Sequence, residues 1–257
     1  MKYTLQFKTG DAELRALRNI PTNIYSKFDF ALLIELTRGR KSKKDNDGDL
    51  NKRIEALKTF LSPDAVVYFD ITTDVNLSNY QIDELYDITD GYQNWQTLFT
   101  NLKSIYKNAI PMLLLNDIDT EYDNFKLQVE TLAKAYKSVG YKIYPSVDQE
   151  IIKNELNIIV DLLQHIEGVK LTVFYDQGYI ADGLVKVAET NAVDFFNLAH
   201  SILENYFVVE YVLTSTSFPD SVTSLSKSYA GTLKCSELSL YENVKKNIPL
   251  PISYSDY

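Results

Sequence analysis

Residues 65–71, Ala-Val-Val-Tyr-Phe-Asp-Ile, form a short apolar run with an acid next to its end, and the polar stretch 72–79 (TTDVNLSN) follows directly. Seven more runs of this kind stand along the chain: Tyr3–Phe7, Phe30–Leu36, Ile110–Leu115, Lys142–Ser146, Lys170–Tyr175, Phe207–Leu213 and Leu250–Tyr254. Short apolar runs bounded by polar residues read as strands. Between them the period changes. In 94–108 the residues Trp95, Leu98, Phe99, Leu102, Ile105 and Tyr106 recur at steps of three and four, drawing one apolar stripe along a helix. Similar stripes are Phe125, Val129, Leu132 and Tyr136; Ile152, Leu156, Ile159 and Leu163; and Phe195, Leu198, Ile202 and Leu203. Shorter helices are expected at 11–19, 51–61 and 236–246. An alternating strand and helix order requires parallel neighbours, because a parallel pair needs a crossover connection. Eight such units predict an α/β fold of the (β/α)8 TIM-barrel-like class, whose chemistry sits at the C-terminal ends of the strands.

Helix starts carry capping signals. Thr120 with Asp123 resembles a capping box, Ser146 or Asp148 precedes Gln149, and Asn191 precedes Asp194. Two features depart from a minimal barrel. Residues 72–93 are too long for an idle connector and suggest a lid or a stretch with its own short helix. The sequence also stops just after the eighth strand, so a last outer helix is expected to be missing.

The chain has 257 residues, close to what one such barrel needs, and is read as a single domain over 1–257. Its 26 basic residues against 35 acidic ones give a net charge of −9, which opposes broad binding to nucleic acid or an anionic membrane. The single Cys235 excludes an internal disulfide framework and fits a reducing compartment. No signal peptide is legible at the N-terminus, and no window approaches the roughly 18 apolar residues of a membrane span. A cytoplasmic protein is the expectation.

Several short motifs resemble those of the bacterial and phage beta-protein family. Lys8, Gly10, an acidic residue and Ala16-Leu17 are similar to its opening, and Leu32-Leu33-Ile34-Glu35 to its Pro-Leu-Ile-Glu strand. Thr214-Ser215-Thr216-Ser217-Phe218-Pro219 resembles its Gly-Thr-Ser-Phe-Pro turn. Glu237 with Leu240 and Tyr241 is similar to its Glu-Trp-x-Leu-Trp helix, and Tyr254-Ser255-Asp256-Tyr257 to its Gly-Asp-Tyr element. Gln6, Ser255 and Cys235 stand where the family usually has Lys, Gly and Arg, which weakens any inherited phosphate site, and the chain looks shortened beyond Gly-Asp-Tyr. The resemblance implies a barrel-like α/β fold and a setting of phages, prophages or phage–host conflict. It implies no defined reaction.

The strand assignments fix a rim inventory. Lys8 follows the first strand; Glu35, Asp70, Asn116 with Asp117, Asp148, Asp176, Thr214 with Ser215 and Ser217, and Asp256 end the next seven in turn. Converging carboxylates suit Mg2+ or Mn2+, which bind hard oxygen ligands and activate water or clamp phosphate. The plainer reading is that Asp and Asn at such turns cap helices. Glu35 and Asp70, acids that close apolar strands, are the strongest site candidates. The two histidines, His165 and His200, lie within or near helix stripes, so neither a zinc site nor a Ser-His-Asp triad has its parts. Ser217 needs a Lys or acid as base to act as a nucleophile; otherwise it braces the turn pinned by Phe218-Pro219. Arg38, Arg40, Lys41, Lys43 and Lys44 form a basic loop that could hold phosphate or a nucleic-acid strand, or be a solvated loop whose field the following DNDGD partly cancels. Among the 19 tyrosines, Tyr175, Tyr179, Tyr254 and Tyr257 could line the mouth or simply pack on helices.

Two functions follow. The first is a recognition or effector module that binds a partner protein or a phage-derived ligand at the mouth. The second is a Mg2+- or Mn2+-dependent hydrolase of the phosphodiesterase type. In it Glu35 and Asp70 hold metal, Asp176 joins them as metal ligand or general base, and Lys8, Arg38, Arg40, Ser217 and Asp256 contact phosphate or ligand.

Overall fold

The computed structural model describes residues 3–21, 24, 29–41, 43, 47–181, 183–205, 208–218 and 234–257. Its elements run β1 (Tyr3–Lys8), α1 (Asp11–Leu17), β2 (Phe30–Leu36), α2 (Leu50–Phe60), β3 (Val66–Ile71), α3 (Tyr80–Leu85), α4 (Thr89–Ile105), β4 (Asn108–Pro111), α5 (Asp123–Tyr136), β5 (Ser138–Ile143), α6 (Gln149–Leu163), β6 (Lys170–Tyr179), α7 (Val185–Leu203), β7 (Val208–Thr216), α8 (Ser236–Asn247) and β8 (Ile252–Asp256). This is the α/β, (β/α)8 barrel-like class that the alternating pattern predicts. The chain forms two compact units, Thr4–Gly140 and Tyr141–Tyr257, with Tyr3 belonging to the second.

In the first unit the strands lie in the order β4-β3-β2-β1. β2 pairs parallel with β3, with Ile34 beside Phe69 and Glu35 beside Asp70. The Phe69 ring meets Tyr106, just past α4, with centroids 5.6 Å apart, so Phe69 and Ile34 face the helices. Side chains alternate across a strand, which puts Glu35 and Asp70 on the opposite face. Every residue of β2 from Ala31 to Leu36 is buried, as both faces of a parallel strand are. Trp95 is fully buried, and its indole N–H donates to the Met112 carbonyl at 3.0 Å. The long stretch 72–93 carries its own helix, α3, capped by the Asn79 side chain, which accepts from Ile82 N at 3.1 Å. At the start of α4 the backbone of Asp90, Gly91 and Tyr92 is left-handed at three successive residues.

The expected strand over 110–115 is observed at 108–111. Beyond it, Met112 and Leu113 still bond neighbouring backbone, but the Leu114 N–H and carbonyl bond the buried Gln128 amide at 2.7 and 3.2 Å, so there a side chain replaces a strand neighbour. β5 begins at Ser138 rather than Lys142. Gly140 pairs with Met112, whose sulfur would lie 2.2 Å from a Cβ at this position, so the glycine makes room for the Met112 and Tyr68 side chains rather than forming a turn. The expected Thr120–Asp123 box is also replaced. Asp119 caps α5 instead, accepting from Phe125 N at 2.7 Å and Asn124 N at 3.4 Å.

In the second unit the order is β8-β7-β6-β5. The Tyr175 ring stacks on Phe195 of α7 at 4.5 Å, Tyr211 meets Phe196 of α7, and Tyr254 meets Tyr241 of α8. These contacts define the helix-covered face of β6, β7 and β8. Asp148 caps α6, as expected. α7 starts at Val185, not near Asn191, because Ala188 and Ala192 extend its buried stripe by almost two turns in residues too small to stand out. Glu189 of α7 accepts from Lys186 and from Asn243 and Asn247 of α8, which ties the two helices together. Phe207, the expected first residue of β7, lies outside the described residues.

Candidate functional site

The first unit brings Lys8, Glu35 and Asp70 to the C-terminal ends of adjacent strands. Glu35 and Asp70 are in register, buried, and on the face away from the helices. The Lys8 ammonium lies 3.7 Å from Glu35 Oε1 and 3.6 Å from Asp74 Oδ2. Asp74 accepts from the Asn76 backbone N–H at 2.9 Å; that bond first, and then Lys8, holds its carboxyl below the usual carboxylate range. Thr9 Oγ1 and Thr37 Oγ1 are 3.0 Å apart beside this group, and Thr9 N donates to the Glu35 carbonyl at 3.0 Å. Two carboxylates, Glu35 and Asp74, therefore share one lysine, and Asp70 stands in register beside Glu35. The sequence reading missed Asp74, whose place in a tight side-chain turn two residues before Asn76 was the legible signal.

The second unit presents a different row. Asp176, Thr214 and Ser255 are register neighbours across β6, β7 and β8, one residue beyond the helix-facing Tyr175, Leu213 and Tyr254. Alternation puts all three on the face away from α7 and α8. The Asp176 carboxylate accepts from Gly178 N at 3.0 Å and from the Tyr257 hydroxyl. Ser217 sits elsewhere: its hydroxyl donates to Glu237 and accepts from Ser236 N at 2.7 Å and Glu237 N at 3.3 Å. It braces the start of α8, a segment distant along the chain, where the sequence predicts a brace for its own turn. Pro219 of that turn lies outside the described residues. Asp256 accepts from the hydroxyls of Tyr3 and Tyr254. Burial first, and then Asp256, pushes both phenols well above their ordinary value.

The basic loop is mostly occupied with its own chain. The Arg38 guanidinium donates to the Asn76 carbonyl at 2.8 and 3.1 Å and to the Gly39 carbonyl at 3.0 Å, which fixes 38–39 to the segment after β3. Arg40 is exposed and lies 3.6 Å from Asp11, which Arg53 also bonds. Lys41 and Lys43 are exposed, and Lys44 lies outside the described residues. His200 lies 3.0 Å from Glu204 on the same helix. Among the described residues, no three of His, Cys, Asp and Glu gather in a way that could hold a metal ion. No described helix is long and apolar enough to cross a membrane.

The buried carboxylates at strand ends, the covered parallel strands and the strand–helix order are the setting for the comparison with known proteins. No curated protein matches the chain. The model of one family, Beta protein, matches residues 3–257, from the first strand to the tyrosine that bonds Asp176, and the chain belongs to that family.

Proposed function

We propose that this protein is a cytoplasmic recognition or effector component of phage–host conflict that captures a partner protein or phage-derived ligand at the strand ends of its first unit. The phage–host setting rests on the family resemblance, and the capture on one observation. Two buried carboxylates, Glu35 and Asp70, stand in register, and a lysine beside them pairs with Glu35 and with Asp74. Glu35 and Asp74 share a single ammonium, which favours a cationic or hydrogen-bond-donating group on the ligand and disfavours phosphate. In the hydrolase reading Lys8 contacts phosphate; here its ammonium sits between two carboxylates, in a position a metal ion would contest.

The test pairs Asp70→Asn with the unaltered protein. The expected result is loss of partner capture from phage-infected cells in Asp70→Asn and in Glu35→Gln, with no Mn2+-dependent phosphodiester hydrolysis in either protein. Hydrolysis that needs Mn2+ and disappears in Asp70→Asn overturns recognition in favour of the metal-dependent hydrolase.

A further inference from the structure

The Asp176 row of the second unit has features that packing alone does not explain. Thr214 Oγ1 and Ser255 Oγ are fully buried and have no hydrogen-bond partner among the described residues. A buried hydroxyl left unpaired costs about 1–3 kcal/mol, so two side by side at strand ends call for a reason. They continue, strand by strand, a row that begins with a carboxylate only 2% exposed. The β6–β7 register also slips between Asp176 and Tyr179, and Gly178 takes a positive φ of 66° there, which turns its N–H onto Asp176. Bulges of this kind recur beside binding sites, where they re-aim polar groups.

The group over Asp176 is the phenol of Tyr257, which follows β8 and is 40% exposed. A six-membered ring that offers a hydroxyl to a buried carboxylate is thus already seated at the row, carried by a residue with an open path to solvent. We propose that Tyr257 is a displaceable stand-in, and that the Asp176–Thr214–Ser255 row binds a neutral ring bearing hydroxyl groups, which takes the place of the phenol. Asp176 accepts the ligand hydroxyl, and Thr214 and Ser255 gain the partners they lack. An anion is disfavoured, because the Asp176 carboxylate repels it and Thr214 and Ser255 offer only neutral hydroxyls. A phenol has one hydroxyl and cannot meet Asp176, Thr214 and Ser255 together, so the ring is a polyhydroxylated one, a sugar or a cyclitol. The inference rests on the second unit and stands independently of the Glu35–Asp70 reading.

The experiment is ligand-observed NMR with glucose, myo-inositol and phenol as probes on the full chain. The proteins compared are the unaltered one, Tyr257→Ala, and Tyr257→Ala combined with Thr214→Val, Ser255→Ala or Asp176→Asn. Removing the stand-in is expected to tighten binding of at least one probe ~10-fold, since the binding-competent state is then no longer rare. Thr214→Val and Ser255→Ala should each weaken it by about 3–10-fold, one hydrogen bond apiece. These two substitutions remove unpaired hydroxyls and keep or improve stability, so a loss of binding reports on the site and not on folding. Glucose or inositol binding that weakens in the row variants supports the proposal, and binding of phenol alone overturns it. Binding indifferent to Thr214→Val, Ser255→Ala and Asp176→Asn overturns the proposal, as does no binding to Tyr257→Ala. Losing partner capture in Asp70→Asn leaves this result untouched, which keeps the two readings separable.

Discussion

The two units each place a buried carboxylate at the C-terminal end of a parallel strand, on the face away from the helices, and surround it in opposite ways. Glu35 is met by the Lys8 ammonium, which Asp74 shares, while Asp176 is met by a backbone N–H and a phenol. The first row holds an ion pair; the second brings a backbone N–H and a phenol to its carboxylate and has two hydroxyls in reserve. A pairing of charges is strong only while both partners remain, whereas a dipole-lined row keeps most of its stability when one hydroxyl goes. The first row is therefore the fragile one, and the second is the one able to exchange its contacts.

The sharpest way to break this contrast is Lys8→Met. It strips the ammonium from the buried Glu35 and should cost about 2–3 kcal/mol in a denaturant titration. That is below the cost of opening a fully buried pair, because Lys8 is partly exposed. A cost below about 0.5 kcal/mol would put Lys8 in the class of ordinary surface charges and erase the difference between the rows.

Acid should sharpen it next. The carboxyls held low, Asp11 by Arg53, Asp74 by Asn76 N–H and Lys8, and Asp87 by Thr89, all lie in the first unit. A depressed carboxyl contributes stability that is full above its ordinary value and fades as pH falls through its lowered one. Deuterium uptake in mild acid should then rise first in residues 4–140. Alkali should not discriminate. Burial first, and then Asp194, raises the Tyr175 phenol from 10.0 to about 12, and burial pushes Tyr92 and Tyr106 up in the first unit and Tyr211 in the second. A raised phenol contributes stability that is full below pH 10.0 and is lost as pH climbs through about 12. Both units should loosen together in that window, with tyrosinate absorbance rising as unfolding exposes the phenols. The smallest effect belongs to Thr214→Val, expected within about 1 kcal/mol of the unaltered protein and on the stabilising side. A larger destabilisation would mean that the hydroxyl has a partner and that the second row is no freer to exchange its contacts than the first.

The order of strands and helices was readable because each apolar run carries its own length and flanks. Boundaries went astray where a side chain or a glycine replaced the usual cue. Gln128 lets Leu114 stay buried without a strand neighbour, Gly140 hides the start of β5, and Ala188 and Ala192 hide the start of α7. Of the candidate residues, Lys8, Glu35 and Asp70 could be grouped from strand ends alone. The carboxylates that cap, such as Asp119 and Asp148, look the same in sequence as those that do not. What separates them is the face a side chain takes, set by register and not by spacing. The pairing of Asp74 with Lys8 and of Tyr257 with Asp176 joins residues distant along the chain; a local turn marks Asp74 but not its partner.

Trp95 is the only tryptophan in the chain, and its indole is sealed within the first unit with its N–H on the Met112 carbonyl. Its emission is consequently a private signal from one unit: blue-shifted, silent to aqueous quenchers, and blind to events around Asp176. Paired with tyrosine absorbance, which reads the whole chain, it lets an ordinary cuvette time the melting of the two units separately, without a label or an added chromophore.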